Sequence, residues 1–184
     1  MFDVNSVHKA RKQLSETEYL YWIRHDLFSF NWWFMLILTV LLWGVWCKLV
    51  DKKRIVHIFL YGLFTALFSN LLDTFGSNLL LWEYTSRLLY FSFPDLIAVD
   101  IAVIPVIFML IYQYFPNWKS FVVIQIIGGC LFAFVAEPFF SWLGIYKLYA
   151  WKYWYSAILY PLFGISSRLF VEFIIHKQTK EADS

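Results

Sequence analysis

From residue 30 onward, long apolar stretches alternate with short polar segments, and a polar segment, residues 1–29, precedes them. An α-helix rises about 1.5 Å per residue, so roughly 20 apolar residues cross the ~30 Å hydrocarbon layer of a membrane. The pattern therefore predicts a single domain over residues 1–184, an all-α integral membrane bundle of about five transmembrane helices. The expected spans lie near residues 30–50, 55–81, 95–115, 119–142 and 154–176.

The amino-terminal segment carries too many charges to cross a membrane, but its pattern is helical. Ser15-Glu16-Thr17-Glu18 has the form of a capping box, in which the Ser15 hydroxyl accepts from the Glu18 amide. Apolar residues recur at helical spacing after it, as far as Leu27. We expect a helix that begins at Ser15 and lies on the membrane surface.

The amino-acid composition also indicates a membrane protein, and it limits the kinds of partner that the protein is expected to bind. Of 184 residues, 61% are hydrophobic and 15% are charged, whereas soluble domains have about 45–50% and about 25%. A net charge of +2 is too small for the clustered basic face that binds nucleic acids. The expected partners are the lipid bilayer of a cell membrane and, among proteins, another membrane protein or a second copy of this chain.

Several ionisable residues lie inside the predicted spans, where a charge costs roughly 2.5–3.5 kcal/mol and needs a partner, a proton or a function. Asp73, Asp100 and Glu137 stand at similar depth in three different spans. Arg168 could point back toward these acids, or it could pair with Glu172 one turn along its own helix. The candidate polar site comprises Asp73, Asp100, Glu137, Arg168, Asn70 and Gln113.

Three local features predict how the spans begin, bend and pack. Asp95, beside Pro94, is expected to cap the beginning of the third span. Pro105 removes a hydrogen bond to the Ile101 carbonyl and is expected to bend that helix. Small residues in the fourth span, Gly129 among them, allow close helix contact. In the second span, small and polar residues form a stripe expected to face protein: Gly62, Ala66, Ser69, Asn70, Asp73, Gly76 and Ser77.

No motif in the sequence names a reaction or a cofactor. A Gly-rich phosphate loop, a nucleophile elbow, HExxH and CxxC are all missing. Cys47 and Cys130 lie in apolar helical stretches and are expected to be buried, inert thiols. His57, Glu172 and His176 could meet as metal ligands at one membrane face, but without a fixed spacing motif they do not predict a metal site.

Three functions remain open for the candidate polar site. A binding protein or transporter for a proton, an ion or a small amphiphile would use the acids as titrating or cation-binding groups. A structural or partner-binding membrane subunit would need the same residues only for helix packing. An intramembrane enzyme acting on lipid or isoprenoid would use one acid as general acid or base, although no nucleophile or cofactor motif accompanies it.

Two blocks of the sequence, PDLIAVDIAVIPVIFMLIYQYF and AEPFFSWLGIYKLYAWKYWYS, resemble a family of small multi-pass membrane proteins of endospore-forming Firmicutes. The resemblance covers about the last two-thirds of the chain, from the second span onward. It implies the multi-pass topology and a bacterial cell membrane, and it implies no particular activity. The residues that carry it are Asp95, Asp100, Pro105, Tyr112, Gln113, Glu137, Pro138, Trp142, Gly144, Tyr146, Lys147, Trp151 and Lys152.

Overall fold

The computed structural model describes residues 3–91 and 98–182, which form helices and two short strands. This confirms the predicted all-α class. Within the described residues, three segments are π-helical, with turns wider than those of an α-helix. These segments, which interrupt or extend the α-helices, are Trp22–Asp26, Ala98–Val103 and Phe132–Ala136. The helices are α1 Val4–Tyr21, α2 Phe30–Leu49, α3 Ile55–Asn78, α4 Ile104–Tyr114, α5 Trp118–Leu131, α6 Glu137–Trp142 and α7 Tyr153–Ala182; the strands are β1 Trp82–Tyr84 and β2 Tyr146–Leu148.

Four helical segments of the described residues are long and apolar enough to cross a membrane, so the chain is a membrane-embedded protein. They are Phe30–Leu49, Ile55–Asn78, Trp118–Trp142 and Tyr153–Gln178. The third predicted span corresponds to a shorter apolar helix, Ala98–Tyr114. Its expected beginning, with the predicted cap Asp95, lies outside the described residues.

Helix α4 lies inside the bundle, packed against α2, α3 and α5, while α7 packs along α3 and α5. Most α4 side chains, including Phe108 and Met109, are buried. Small residues allow these close approaches: a Cβ at Gly62 would overlap the Met109 side chain, and one at Gly129 would lie 2.5 Å from Cδ of Pro161. The stripe predicted on the second span does face protein, since its members are buried or half-buried.

The amino-terminal helix begins earlier than predicted. The capping box is formed by Asp3 and Ser6, where the Asp3 carboxylate accepts from the Ser6 amide at 2.8 Å. The prediction that the helix begins at Ser15 is wrong, because good helix formers between Ser6 and Ser15 carry the helix upstream. Glu18 serves instead as an ion-pair partner of Arg87, at 2.9 Å.

The end of α1 docks on the segment that follows β1. Trp22 Nε1 donates to the Arg87 carbonyl at 3.1 Å, and the Arg87 amide donates to the Asp26 carboxylate at 3.1 Å. Asp26 is only 3% exposed, and burial raises its pKa while the Arg87 amide opposes that rise. Because the folded state then holds the proton of Asp26 more tightly than the unfolded chain does, Asp26 contributes stability that is lost as pH rises from the usual aspartate pKa through the raised one.

The structure overturns the expected burial of the two cysteines, and it places Pro105 close to a π-helical turn. Cys47 and Cys130 are free thiols as predicted, but both are exposed on their helices, so the prediction that they are buried is wrong. Helix α4 directly follows the π-helical segment Ala98–Val103, and Pro105 is its second residue. The helix therefore takes up the proline with a wider turn, a known cause of local distortion.

The connectors after α3 and α6 pair as an antiparallel two-stranded ribbon. Tyr84 lies opposite Tyr146, and Glu83 lies opposite Lys147, so an opposite-charge pair and an aromatic pair face each other across the strands. Gly144 enters β2 with a φ of +70°, a left-handed conformation that glycine adopts without a steric penalty. The ribbon ties the ends of α3 and α6 together.

The close contact of α5 with α7 can be tested at adjacent glycines. We expect Gly129→Ala to lower the melting temperature, corresponding to about 1–3 kcal/mol, because the new methyl group meets the rigid Pro161 ring. Gly128→Ala is the matched control, since its Cβ would meet only Ile111 at 3.6 Å. Melting of both variants in mild detergent provides the comparison, and equal melting temperatures would contradict the packing described here.

Candidate functional site

Three buried carboxylates line one cavity at the end of the bundle near the two strands. The cavity has a volume of about 70 Å³ and is lined by Asp73 of α3, Asp100 of the π-helical segment Ala98–Val103, and Glu137 of α6. A single water needs roughly 10–15 Å³ of such space, so the cavity accommodates several waters or a small polar group. We call it the carboxylate chamber.

Asp73 is held by two donors from β1. Its Oδ1 accepts from Trp82 Nε1 at 2.9 Å and from the Tyr84 hydroxyl at 2.5 Å. Burial, reinforced by the charges of Asp73 and Asp100, raises the pKa of Tyr84 well above its usual value, so this hydroxyl stays protonated and donates. Gly76 makes the arrangement possible, because a Cβ there would overlap the Trp82 ring.

Asp100 and Glu137 each receive a hydroxyl donor. The Ser69 hydroxyl donates to Oδ1 of Asp100 at 2.5 Å, and the Tyr160 hydroxyl donates to Oε1 of Glu137 at 2.8 Å. The second oxygen of Glu137, Oε2, is buried and has no hydrogen-bond partner among the described residues. Glu137 is only 9% exposed, and the Ser156 hydroxyl also lies close enough to act on its carboxylate, although Oε2 has no hydrogen bond of good geometry.

Two of the three acids stand at π-helical turns. Asp100 lies within Ala98–Val103, and Glu137 is the first α-helical residue after Phe132–Ala136. Each turn is followed closely by a proline, Pro105 or Pro138, at the second position of the next α-helix. Such wide turns change the direction of side chains along a helix and occur frequently at functional sites.

The walls of the chamber combine negative and aromatic groups. None of the described residues that line it is Lys, Arg or His. Aromatic rings hold positive charge over their faces, and carboxylates attract it, so both types of wall favour a cation. The aromatic lining residues are Trp82, Tyr84, Phe132, Phe140, Tyr146, Trp151, Tyr160 and Phe163.

Arg168 does not line this chamber. Its guanidinium donates to Oε1 of Glu172 at 2.8 Å and to the carbonyls of Phe115 and Pro116. It also lies 4.5 Å from the ring centre of Trp118. Of the two arrangements that the sequence allows, the structure has the pairing with Glu172, because the carbonyls at the end of α4 lie within reach on that side.

The two predicted amides also have other partners. Gln113 joins α4 to the loop after α2, since its Oε1 accepts from the Asp51 amide and its Nε2 donates to the Leu49 carbonyl, each at 2.9 Å. Asn70 Nδ2 donates to the Ala66 carbonyl of its own helix at 2.7 Å. The structure therefore brings the three acids of the predicted polar site together and separates Arg168 and Gln113 from them.

The donors that hold the acids escape prediction from the sequence. Trp82 and Tyr84 fall in a stretch too short and mixed to span, and Tyr160 resembles any aromatic residue of the last span. The alternation of Trp82 and Tyr84 around Glu83 is a weak strand signal that places both rings on one side. In a segment of three residues, that signal does not distinguish a strand from an interfacial loop.

With three carboxylates and several aromatic rings in its described lining, the chamber can accept a positively charged group. Among residues 3–91 and 98–182, no group of three or more His, Cys, Asp or Glu is placed to hold a metal ion, and Glu172 is engaged by Arg168 and by Trp118 Nε1. No family model, no curated protein and no solved structure matches the chain. The geometry of the chamber is therefore the basis for assigning a function.

The link between β1 and the chamber can be measured with a double-mutant cycle. Tyr84→Phe and Asp73→Asn are each expected to lower the melting temperature, because the first removes a buried donor and the second replaces a carboxylate acceptor with a weaker, neutral one. The two losses should not add, and their coupling should be about 1–2 kcal/mol. Tyr149→Phe is the control and should not couple to Asp73→Asn, because Tyr149 is an exposed residue whose hydroxyl contacts Glu83. Additive losses for Tyr84 and Asp73 would contradict the contact.

Proposed function

We propose that this membrane protein binds a cation, the proton included, in the carboxylate chamber, and that it acts as a binding protein or transporter for that species. The observation that carries the proposal is the lining: Asp73, Asp100 and Glu137 meet in one cavity whose described lining residues include no Lys, Arg or His. Ionised carboxylates in a low-dielectric site repel one another, so uptake of a positive charge stabilises all three.

A specific observation favours the alternative, a structural or partner-binding subunit. Each of the three carboxylates accepts a hydrogen bond from a neighbouring element, as buried polar groups that fix helix packing do. In that case the chamber would be a by-product of packing, and its acids would matter only for stability. The two functions therefore differ in whether a cation changes the properties of the folded protein.

From the resemblance of the sequence we also propose that the chain belongs to a family from endospore-forming Firmicutes and that it lies in a bacterial cell membrane. Asp100 and Glu137 stand in the two sequence blocks that carry that resemblance, and both lie at the chamber. The position of both acids in these blocks and at the chamber supports a role for the chamber throughout that family. It does not identify the cation.

The proposal is tested by replacing Asp100. In lipid nanodiscs at neutral pH, propylammonium should raise the melting temperature of the wild-type protein, because a ligand that binds only the folded state stabilises it by about 2.7 kcal/mol at a hundredfold excess over its dissociation constant. Asp100→Asn should retain a cooperative melting transition and lose most of this increment. Propanol and propionate, which lack the positive charge, should produce no comparable shift.

Glu16→Gln is the matched control, since Glu16 is an exposed acid of α1 that does not line the chamber. It should respond to propylammonium as the wild type does. If no cation, including a proton added by lowering the pH, distinguishes the wild type from Asp100→Asn, the acids serve packing alone and the proposal is wrong.

A further inference from the structure

An apolar groove borders the carboxylate chamber. The groove has a volume of about 250 Å³ and is lined by Trp151, Tyr155, Ile158 and Leu159. Trp151 and Leu159 also line the chamber, so the same two side chains form walls of both spaces. The groove therefore lies next to the site that holds the acids, with Trp151 and Leu159 between them.

The groove faces the hydrocarbon layer. Tyr155, Ile158 and Leu159 belong to the segment Tyr153–Gln178, which is long and apolar enough to cross the membrane. Ile158 is 52% exposed, so its side chain lies at the outer surface of the bundle. An apolar chain from the bilayer can therefore lie in this groove without losing its lipid-like surroundings.

The chamber supplies the complementary polar part. Oε2 of Glu137 is an available acceptor in a buried side chain that lines the chamber. An alkylammonium group carries N–H donors and a positive charge, and it is also attracted to aromatic faces such as those of Trp82 and Trp151. An anionic head group, such as a phosphate monoester, would meet three carboxylates and no basic lining residue of the described chain.

We infer that the ligand of this protein is an amine with an apolar tail, whose ammonium group lies in the carboxylate chamber beside Glu137 and whose tail passes Trp151 and Leu159 into the groove. This inference rests on the proposed function and adds to it the class of ligand. It also assigns the route of binding, which is lateral, from the hydrocarbon layer. The carboxylates select the charge, and the groove selects the tail.

The test compares amines with and without a long tail. Full-length protein in phosphatidylcholine nanodiscs is titrated at neutral pH with dodecylamine, propylamine and dodecanol, and binding to empty nanodiscs is subtracted. Both amines should bind saturably to the wild type, and dodecanol should not. Glu137→Gln should weaken both amines by at least about tenfold, because it removes a charge from a low-dielectric site.

The tail is tested at the groove. Ile158→Trp fills the groove without touching the acids and should weaken dodecylamine by about tenfold while leaving propylamine unchanged. Leu169→Trp is the matched control, because Leu169 is an exposed residue of the same helix that lines neither space. It should leave both amines unchanged.

A second measurement does not depend on any variant folding. Dodecylamine with a photoreactive diazirine at the end of its tail should label the segment 155–159 of the wild-type protein, and excess dodecylamine, but not dodecanol, should prevent this labelling. Label elsewhere, or equal effects of Ile158→Trp on the two amines, overturns the inference while leaving cation binding intact. Failure of both amines to bind the wild type also overturns the inference, whereas the proposed function itself is overturned only if no cation, a proton included, distinguishes the wild type from Asp100→Asn.

Discussion

The structure depends on one constraint: the hydrocarbon layer offers no water to a buried charge, so every carboxylate inside the bundle needs donors from the protein. Asp73 receives its donors from Trp82 and Tyr84 of β1, outside the spanning helices. These donors reach Asp73 only because β1 is held against the bundle by pairing with β2. The short ribbon, and the docking of α1 on the segment after it, are therefore consequences of placing an acid near the end of α3.

The buried positive charge of Arg168 also needs partners inside the bundle, and different groups supply them. Arg168 is 5% exposed, and it is satisfied by Glu172, by two carbonyls at the end of α4 and by aromatic faces. These partners hold the guanidinium away from Asp73, Asp100 and Glu137. Since the bundle satisfies Arg168 separately, the described lining of the chamber contains three carboxylates and no basic side chain. That separation is what makes the chamber suitable for a ligand that brings its own charge.

Much of this arrangement follows from the sequence, and the exceptions have physical causes. Membrane spans and the similar depth of Asp73, Asp100 and Glu137 could be predicted because hydrocarbon thickness and helical rise are nearly constant. The orientation of Arg168 could not, since a long flexible side chain reaches in either direction and the choice depends on carbonyls of another helix. The three-residue strands arise from pairing between distant segments, which local patterns do not reveal. The beginning of α1 could not be predicted from the sequence, because two capping sequences compete and Asp3 provides the one that is used.

The hydrogen bonds of Glu137 help to distinguish a packing role of the chamber from a binding role. A buried acceptor without a partner costs about 1–3 kcal/mol, and Oε2 of Glu137 is such an atom among the described residues. Tyr160 satisfies only Oε1, and the Ser156 hydroxyl, which also acts on the carboxylate, makes no hydrogen bond of good geometry to Oε2. A ligand that donates to Oε2 would remove this cost, so its binding would stabilise the fold at that atom. The position of Glu137 after a π-helical turn, beside the cavity and near the membrane-facing groove, places that atom where such a donor can reach it.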